Sequence, residues 1–296
     1  MHRKFSLAVT ALALGLGAAA PAGAELIYGL TTDNDILLFD SAAPTVVLDG
    51  GRVNGVIGTA DLEAIDYRPA TGEVYLIDDS AHVYTFDVST FEATLVGTYS
   101  PRIPGTSFAF DFNPVLGGGE FARIITETND NRVISGETGQ YLLPVEKTDV
   151  FFAAGDRYEG MDPNIAGIAY TNSVAGATST QQYGIDSNLG VLTTVANNAG
   201  TLQTVGSLGL LGGLSNELGF DISGASGIAY ANFLVDGENS SGLWQINLST
   251  GQASYAGRIG SGDVIRDLTV VPVPEPTATL ALAGIAGLGL LRRRKA

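Results

Sequence analysis

The sequence predicts an all-β protein, a β-propeller of five four-stranded blades, and three observations lead to this prediction. First, short segments in which apolar and polar residues alternate are separated by turn-forming residues along most of the 296-residue chain. Second, these segments group into five similar units of about 50 residues, near the period of propeller blades. Third, the N-terminal unit lacks one strand, and a lone segment near the C terminus can supply it.

The most complete unit spans residues 62–97 and has the sequence LEAIDYRPATGEVYLIDDSAHVYTFDVSTFEATLVG. It contains four predicted strands, AIDYR, EVYLID, HVYTFDV and EATLVG, separated by residues that favour turns. Val83 and Thr85 alternate with Tyr84 and Phe86, which is the period of a strand. Four antiparallel strands of this length cannot bury both faces alone, so the unit is expected to stack on copies of itself.

The other units follow in order along the chain. Residues 25–50 give three strands, and residues 107–156, 164–206 and 218–257 give four each, with TDVFFAAG as the fourth strand of the third unit. Residues 264–271, VIRDLTVV, are the lone strand, and pairing it with the N-terminal unit would close the ring and protect its edges. Six blades are the alternative if residues 129–163 contain a further sheet. An open β-sandwich is disfavoured because the units repeat.

The first 24 residues predict a secretory signal peptide. A basic start, an apolar run and small residues at Ala22 and Ala24 precede Glu25, so signal peptidase is expected to cleave before Glu25. A retained membrane helix is disfavoured because the run is short and a cleavage site follows it.

The last residues form a tail of three parts. The motif Val273-Pro274-Glu275-Pro276 precedes an apolar run at residues 277–291, which is shorter than the roughly 20 residues of a membrane-spanning helix. The cationic end Arg292-Arg293-Arg294-Lys295 completes a stop-transfer segment with its positive end in the cytoplasm.

This order of parts resembles the PEP-CTERM sorting signal of Gram-negative bacteria. The resemblance implies that the protein is exported across the inner membrane and that its tail lies in the membrane as a transmembrane helix. It also implies that an exosortase, a membrane enzyme, processes the tail. The protein would then lie at the cell surface or in the extracellular matrix.

Between the two ends, residues 25–272 carry 30 acidic and 9 basic residues, a net charge of −21. Such a surface repels nucleic acid and anionic lipid, so neither is expected as a partner. Cysteine is absent, which excludes disulfides and thiolate metal sites.

Three aspartates recur at the same place in the first strands of the units, at Asp66, Asp111 and Asp221. They would either converge on the central channel and bind a cation, or accept hydrogen bonds from backbone donors and fix blade to blade. The two other aligned positions hold Ala169 and Thr269, which breaks a symmetrical metal ring and favours the second role.

Other candidate sites are weak. Asp33-Asn34-Asp35, Asp78-Asp79 and Asp236-Gly237-Glu238-Asn239 are acidic turns without the complete ligand spacing of a calcium loop. His82 stands alone after the signal, and Trp244 with the tyrosines is expected to pack between blades. No catalytic residue, metal ligand or cofactor is assigned.

The central region also resembles the bacterial domain of unknown function 4394 family. The motifs AIDYRPATGEVYLI, FAFDFNP, YGID, GTLQTVGSLG and the closing RDL occur in order. The resemblance implies a propeller-like extracellular domain and brings no known activity. We therefore expect a non-enzymatic binding or structural protein, with an exopolysaccharide or another surface protein as partner. The alternative is a secreted glycoside hydrolase that uses a carboxylate pair in the channel mouth.

Overall fold

The computed structural model describes residues 24–142, 149–210, 213–234 and 238–272. Five β-sheets form in these residues, and the innermost strands of the five sheets contact one another in a closed cycle. These innermost strands correspond to the aligned first strands of the sequence units, and in the first blade this strand comes from the C-terminal end of the chain. The described secondary structure also includes two short 3₁₀ helices, Leu116–Gly118 and Asn197–Ala199. The five-bladed propeller is therefore confirmed, and residues 129–163 contain no sixth sheet in their described part.

The first blade joins the two ends of the propeller. The strands β1 (Leu26–Thr31), β2 (Asp35–Asp40) and β3 (Val47–Arg52) come from the start, and β20 (Ile265–Val271) comes from the end. β20 pairs antiparallel with β1 from Leu26 opposite Val271 to Leu30 opposite Asp267. The predicted closure by the C-terminal strand is confirmed, and the whole ring lies within residues 25–272.

The second and third blades follow in sequence. Blade two consists of β4 (Leu62–Arg68), β5 (Glu73–Asp78), β6 (His82–Asp87) and β7 (Glu92–Thr98). Blade three has three strands, β8 (Phe108–Phe112), β9 (Phe121–Thr126) and β10 (Asn131–Ser135), with a single bridge from Ile134 to Tyr141 on its outer edge.

The fourth and fifth blades complete the ring. Blade four contains β12 (Ile165–Tyr170), β13 (Gln182–Asp186), β14 (Val191–Val195) and β15 (Thr201–Ser207). Blade five contains β16 (Phe220–Ile222), β17 (Ala229–Phe233), β18 (Gly242–Ile246) and β19 (Ala253–Arg258).

One strand assignment from the sequence was wrong. The segment TDVFFAAG does not complete blade three; instead β11 (Phe151–Phe152) pairs in parallel with β15 on the outer edge of blade four. The backbone N–H of Phe151 donates to Gly200, and Phe152 is buried in the core between blades three and four. Tyr141 and Leu142 already occupy the outer edge of β10, so this later segment pairs with the next blade.

The apolar core lies between the blades rather than within them. Five clusters of buried side chains each join two neighbouring blades, and together they cover all five interfaces of the ring. At the interface of blades two and three, for example, Tyr75 packs edge-on against Phe112 with ring centroids 4.8 Å apart. Each blade therefore depends on its neighbours for burial, as the repeat pattern predicts.

Glycines near the ends of two outer strands permit the blades to approach closely. A Cβ atom at Gly97 would lie 2.0 Å from the carbonyl oxygen of Thr138 in blade three. At Gly206 it would lie 2.1 Å from the carbonyl oxygen of Thr250 in blade five. Any larger residue at these two positions would force neighbouring blades apart.

Candidate functional site

Three aspartates meet on the axis of the propeller. Asp66 on β4, Asp111 on β8 and Asp221 on β16 each present a carboxylate oxygen, and these oxygens all lie within 4.8 Å of one another. All three residues are buried. We call this group the axis cluster. The sequence left open whether these residues converge or bond to the backbone, and in the structure they do both.

The axis cluster bonds the first strands to each other. Asp66 Oδ2 accepts the N–H of Phe112 in blade three at 2.7 Å, and Asp221 Oδ2 accepts the N–H of Val270 in blade one at 2.6 Å. The Asp111 carboxylate accepts the N–H of Tyr170 in blade four. Each aspartate therefore receives a backbone donor from the following blade, which fixes the blades to one another.

The two aligned positions that lack aspartate, Thr269 and Ala169, differ in whether they accept a hydrogen bond from the next blade. Thr269 on β20 accepts the N–H of Tyr67 at 3.0 Å, so its hydroxyl takes the acceptor role of the aspartates between blades one and two. The same hydroxyl lies 3.1 Å from Asp66 Oδ1 and 3.1 Å from Asp221 Oδ2 and donates its proton to this pair. Ala169 has no side-chain acceptor. The matching donor in blade five, the N–H of Ile222, is instead bound by Asp221 Oδ1 at 2.6 Å.

A fourth aspartate, Asp267, is buried beside the axis cluster, and the sequence analysis did not identify it as a candidate. It lies on β20 two residues before Thr269, and its carboxylate accepts the N–H groups of Ile65 and Leu268, both at 2.9 Å. The other aligned strands have small residues at this position, so no recurrence indicated it; these are Ala64, Ala109, Gly167 and Gly219. The closing RDL motif was the available signal.

Burial dominates the electrostatics of these four carboxyl groups. It raises the pKa of Asp66, Asp111 and Asp267 well above the ordinary range, and the neighbouring carboxylates raise all three further. Burial also raises the pKa of Asp221 to about 6, although hydrogen bonds from Val270 and Ile222 favour its charged form. The charged form of the group is therefore costly unless something on the axis compensates it.

One mouth of the channel, at the start of the first strands, is closed by an ion-pair network. Arg266 lies 3.4 Å from a Glu63 carboxylate oxygen and 3.2 Å from one of Glu217, and it also donates to the carbonyl of Leu62 at 2.7 Å. Burial raises the pKa of Glu63 to about 7, an effect that Arg266 reduces and Glu217 increases. The cavity here measures about 10 Å³, which is room for about one water molecule.

The opposite mouth is open and mostly apolar. A cavity of about 200 Å³ is lined by Tyr67, Val174, Ala225 and Val271, and Asp221 also borders it. Asp221 is thus the member of the axis cluster that borders this cavity.

A larger cleft lies on the outer part of blade five. It has a volume of about 420 Å³, and its lining combines aromatic, hydroxyl and charged side chains: Phe233, Glu238, Ser240, Trp244, Tyr255 and Arg258. The rings of Trp244 and Tyr255 meet edge-on with centroids 4.9 Å apart, and Tyr255 is 59% exposed. We call this feature the blade-five cleft.

Cross-strand pairing builds the blade-five cleft. Trp244 on β18 lies opposite Tyr255 on β19, directly after a bulge in the register of these two strands. Gly242 leaves room for both rings, because a Cβ atom there would lie 2.7 Å from the Tyr255 ring and 3.2 Å from Trp244 Nε1. Nε1 of Trp244 is buried and has no acceptor among the described residues. Trp244 packs against the apolar core between blades four and five, as the sequence predicted. Alternation along a strand could not reveal that the Trp244–Tyr255 pair also borders an open cleft.

The remaining candidates contribute to local structure. His82 Nδ1 lies 2.7 Å from Asp78 Oδ2, and the same oxygen accepts the hydroxyl of Tyr84 at 2.8 Å. In the turn at residues 33–35, the side chain of Asn34 accepts the N–H of Leu62 at 2.9 Å and so joins blade one to blade two. Asp236 and Gly237 of the third acidic turn lie outside the described residues.

The predicted mature N terminus is ordered at the seam of blades one and five. Ala24 is exposed, whereas Glu25 is buried and its N–H donates to Ser41 Oγ at 3.0 Å. The Glu25 carboxylate accepts the hydroxyls of Ser223 and Ser226. The predicted start at Glu25 thus coincides with the first buried residue in the part of the chain that the structure describes. The part of the chain that the structure describes contains no helix long and apolar enough to span a membrane.

The sorting motif and the cationic end lie outside the described residues, as do residues 1–23 of the signal peptide, Ala22 among them. These are Val273, Pro274, Glu275 and Pro276, with Arg292, Arg293, Arg294 and Lys295.

Comparison with known proteins identifies two regions of the chain. The family model described as Domain of unknown function (DUF4394) matches residues 35–269, and the PEP-CTERM protein-sorting motif matches residues 272–295. The second match implies exosortase processing, export and localisation at the cell surface. No curated protein matches the chain.

Among solved structures, a chain of Kuenenia stuttgartiensis hydrazine synthase is similar, with 15% sequence identity and a TM-score of 0.40. The similarity covers 71% of this chain and 53% of the hydrazine synthase chain. This protein therefore spans about half the length of that solved structure.

Proposed function

We propose that this chain, which belongs to the family described as Domain of unknown function (DUF4394), is a non-enzymatic surface or matrix protein that binds carbohydrate through the blade-five cleft. The sorting tail directs the protein to the cell surface, where exopolysaccharide is the carbohydrate that we expect as its partner. The rigid ring then presents the cleft to that environment, with exposed loops and side chains supplying the contacts.

The Trp244–Tyr255 pair is the observation that carries the proposal. One face of a sugar ring is apolar and packs flat against an aromatic ring, while its hydroxyl groups bond to polar side chains around it. The blade-five cleft combines these features, because Tyr255 is exposed at its rim beside Arg258 and Glu238.

The volume of the cleft fits this class of ligand. About 420 Å³ lies within the range of small-molecule sites and admits a short oligosaccharide rather than a folded protein. The net charge of −21 over residues 25–272 disfavours strongly acidic polymers, although Arg258 at the rim can pair with a single acidic sugar. The proposed ligand is thus a neutral or weakly acidic exopolysaccharide.

A glycan array probed with the protein spanning residues 25–272 tests the proposal. We expect the wild type to retain a defined set of glycans, and Trp244→Ala to lose them while its circular dichroism spectrum stays unchanged. Phe151→Ala is the matched control, because Phe151 is an aromatic residue that is 50% exposed on blade four. Equal retention by wild type and Trp244→Ala would exclude the cleft as the binding site.

A polysaccharide hydrolase is the second candidate, and the Glu63–Glu217 pair is the observation that favours it. Glu63 has a pKa raised to about 7, as a general acid requires. However, Arg266 bridges the two carboxylates, and the cavity of about 10 Å³ cannot admit a sugar ring. Hydrolysis of an exopolysaccharide that Glu63→Gln abolishes would decide for the enzyme.

A further inference from the structure

We propose that the axis cluster of Asp66, Asp111 and Asp221 binds one divalent cation of calcium's chemistry and that this ion locks the ring of blades. This site is separate from the blade-five cleft, and its existence does not depend on carbohydrate binding.

The geometry of the cluster suits a hard cation. Oxygen ligands that bind one calcium ion at 2.3–2.6 Å lie up to about 5 Å from each other. The three carboxylate oxygens on the axis lie within 4.8 Å of one another, which is within the spacing that one ion bridges. The ligand set is oxygen alone, which selects calcium or magnesium over zinc or copper.

Asp111 supplies a separate observation that indicates a ligand. Its Oδ1 atom is buried and has no hydrogen-bond partner among the described residues, although the residue is only 2% exposed. The same carboxylate belongs to the axis cluster and has Asp66 and Asp221 as its strongest charged neighbours. A bare carboxylate oxygen in such a place is expensive, and a bound cation removes the cost.

The charges around the cluster support the same conclusion. The strongest charged neighbours of Asp66 and Asp111 are other carboxylates of the group, and Asp267 adds a further buried carboxyl to it. Arg266, the cation of the nearby mouth, is bonded to Glu63 and Glu217. A divalent ion would compensate several of these charges at once, from the interior of the ring.

Two features favour calcium over magnesium: the fixed positions of the carboxylate oxygens and the route by which a hydrated ion reaches them. Magnesium requires near-ideal octahedral geometry at 2.0–2.1 Å and keeps several of its waters, whereas calcium accepts 6–8 oxygens in flexible arrangements. The oxygens of Asp66 and Asp221 already accept backbone hydrogen bonds, which fixes their positions. The cavity of about 200 Å³ bordered by Asp221 gives an ion and its remaining waters a route from solvent.

The test uses the protein spanning residues 25–272, which contains the whole closed ring. Metal content is measured by mass spectrometry after purification without chelator, and calorimetric titration with CaCl₂ follows treatment with EDTA. We expect one calcium ion per chain and a rise in melting temperature of about 5 °C or more when calcium is restored. A chain without bound metal whose melting temperature responds to neither calcium nor magnesium would overturn the proposal.

Asp111→Asn locates the site. The amide oxygen can still accept the N–H of Tyr170, and the amide NH₂ can take the place of the bare oxygen and donate to Asp66 or Asp221. We therefore expect this variant to fold, to melt higher than the EDTA-treated wild type at pH 8, and to lose calcium binding at least tenfold.

Asp33→Asn is the matched control, because its carboxylate lies in an exposed turn, and calcium binding should persist in it. Binding that survives Asp111→Asn and disappears in Asp33→Asn would contradict the axis site. Magnesium binding alone would contradict the assignment of calcium.

Discussion

Closure of the ring by β20 can be tested by removing that strand. Three of its side chains, Ile265, Leu268 and Val270, are 0%, 1% and 7% exposed and pack between blades one and five. Full burial of such a side chain contributes about 1.5–3 kcal/mol, so their loss costs about 5–9 kcal/mol. The whole stability of a domain is about 5–15 kcal/mol, and a chain ending at Gly262 should therefore be largely unfolded or melt far lower.

Thermal unfolding followed by circular dichroism compares the chain ending at Gly262 with the one ending at Pro272. Leu268→Ala is a milder form of the same change and should cost about 2–5 kcal/mol, which is a fall of roughly 5–20 °C in melting temperature. Val47→Ala on the outer edge of the same blade is the matched control, because Val47 is 40% exposed. Equal melting temperatures for the two chain lengths would refute ring closure.

Three further predictions concern the tail, a blade interface and one buried acid. Glu275→Ala should leave unprocessed protein in the membrane fraction, and release equal to wild type in a fractionation assay would reject exosortase recognition. Arg68→Met should cost about 2–3 kcal/mol in urea unfolding, because Arg68 is buried and donates to the Gly119 carbonyl, the Tyr75 hydroxyl and the Glu137 carboxylate; no change would show that these three bonds contribute nothing. The raised pKa of Glu63 means that its contribution to stability is complete below its ordinary pKa of 4.5 and is lost as pH rises through about 7. Glu63→Gln should therefore flatten the fall in melting temperature between pH 5 and 8, and an unaltered slope would show that Glu63 is not the titrating group.

Much of the fold follows from the sequence because each blade repeats the same physical problem. A unit of four short strands cannot bury its faces alone, and among the described strands the lone strand around Leu268 pairs with β1 alone. The placement of Phe151 and Phe152 could not be derived in this way. Apolar alternation predicts a strand but does not tell which sheet edge is free, and Tyr141 had already taken the edge of blade three.

The two sites also differ in how far the sequence predicts them. The recurrence of Asp66, Asp111 and Asp221 predicted a shared position, and their convergence within 4.8 Å follows from the closed ring. The blade-five cleft gave no such signal, because Trp244 and Tyr255 alternate as core residues do. The exposure of these two rings at the cleft depends on Gly242 and on a register bulge. Only the three-dimensional pairing of β18 and β19 reveals both features.

The central claim is that the blade-five cleft binds carbohydrate without turnover. Calorimetric titration of an oligosaccharide retained in the glycan array into the protein spanning residues 25–272 tests this claim most directly. The account predicts one site per chain, with affinity reduced about tenfold or more in Tyr255→Ala, about 1.4 kcal/mol, and unchanged in Phe151→Ala. Turnover of the oligosaccharide during the titration, or equal affinity in wild type and Tyr255→Ala, would contradict it.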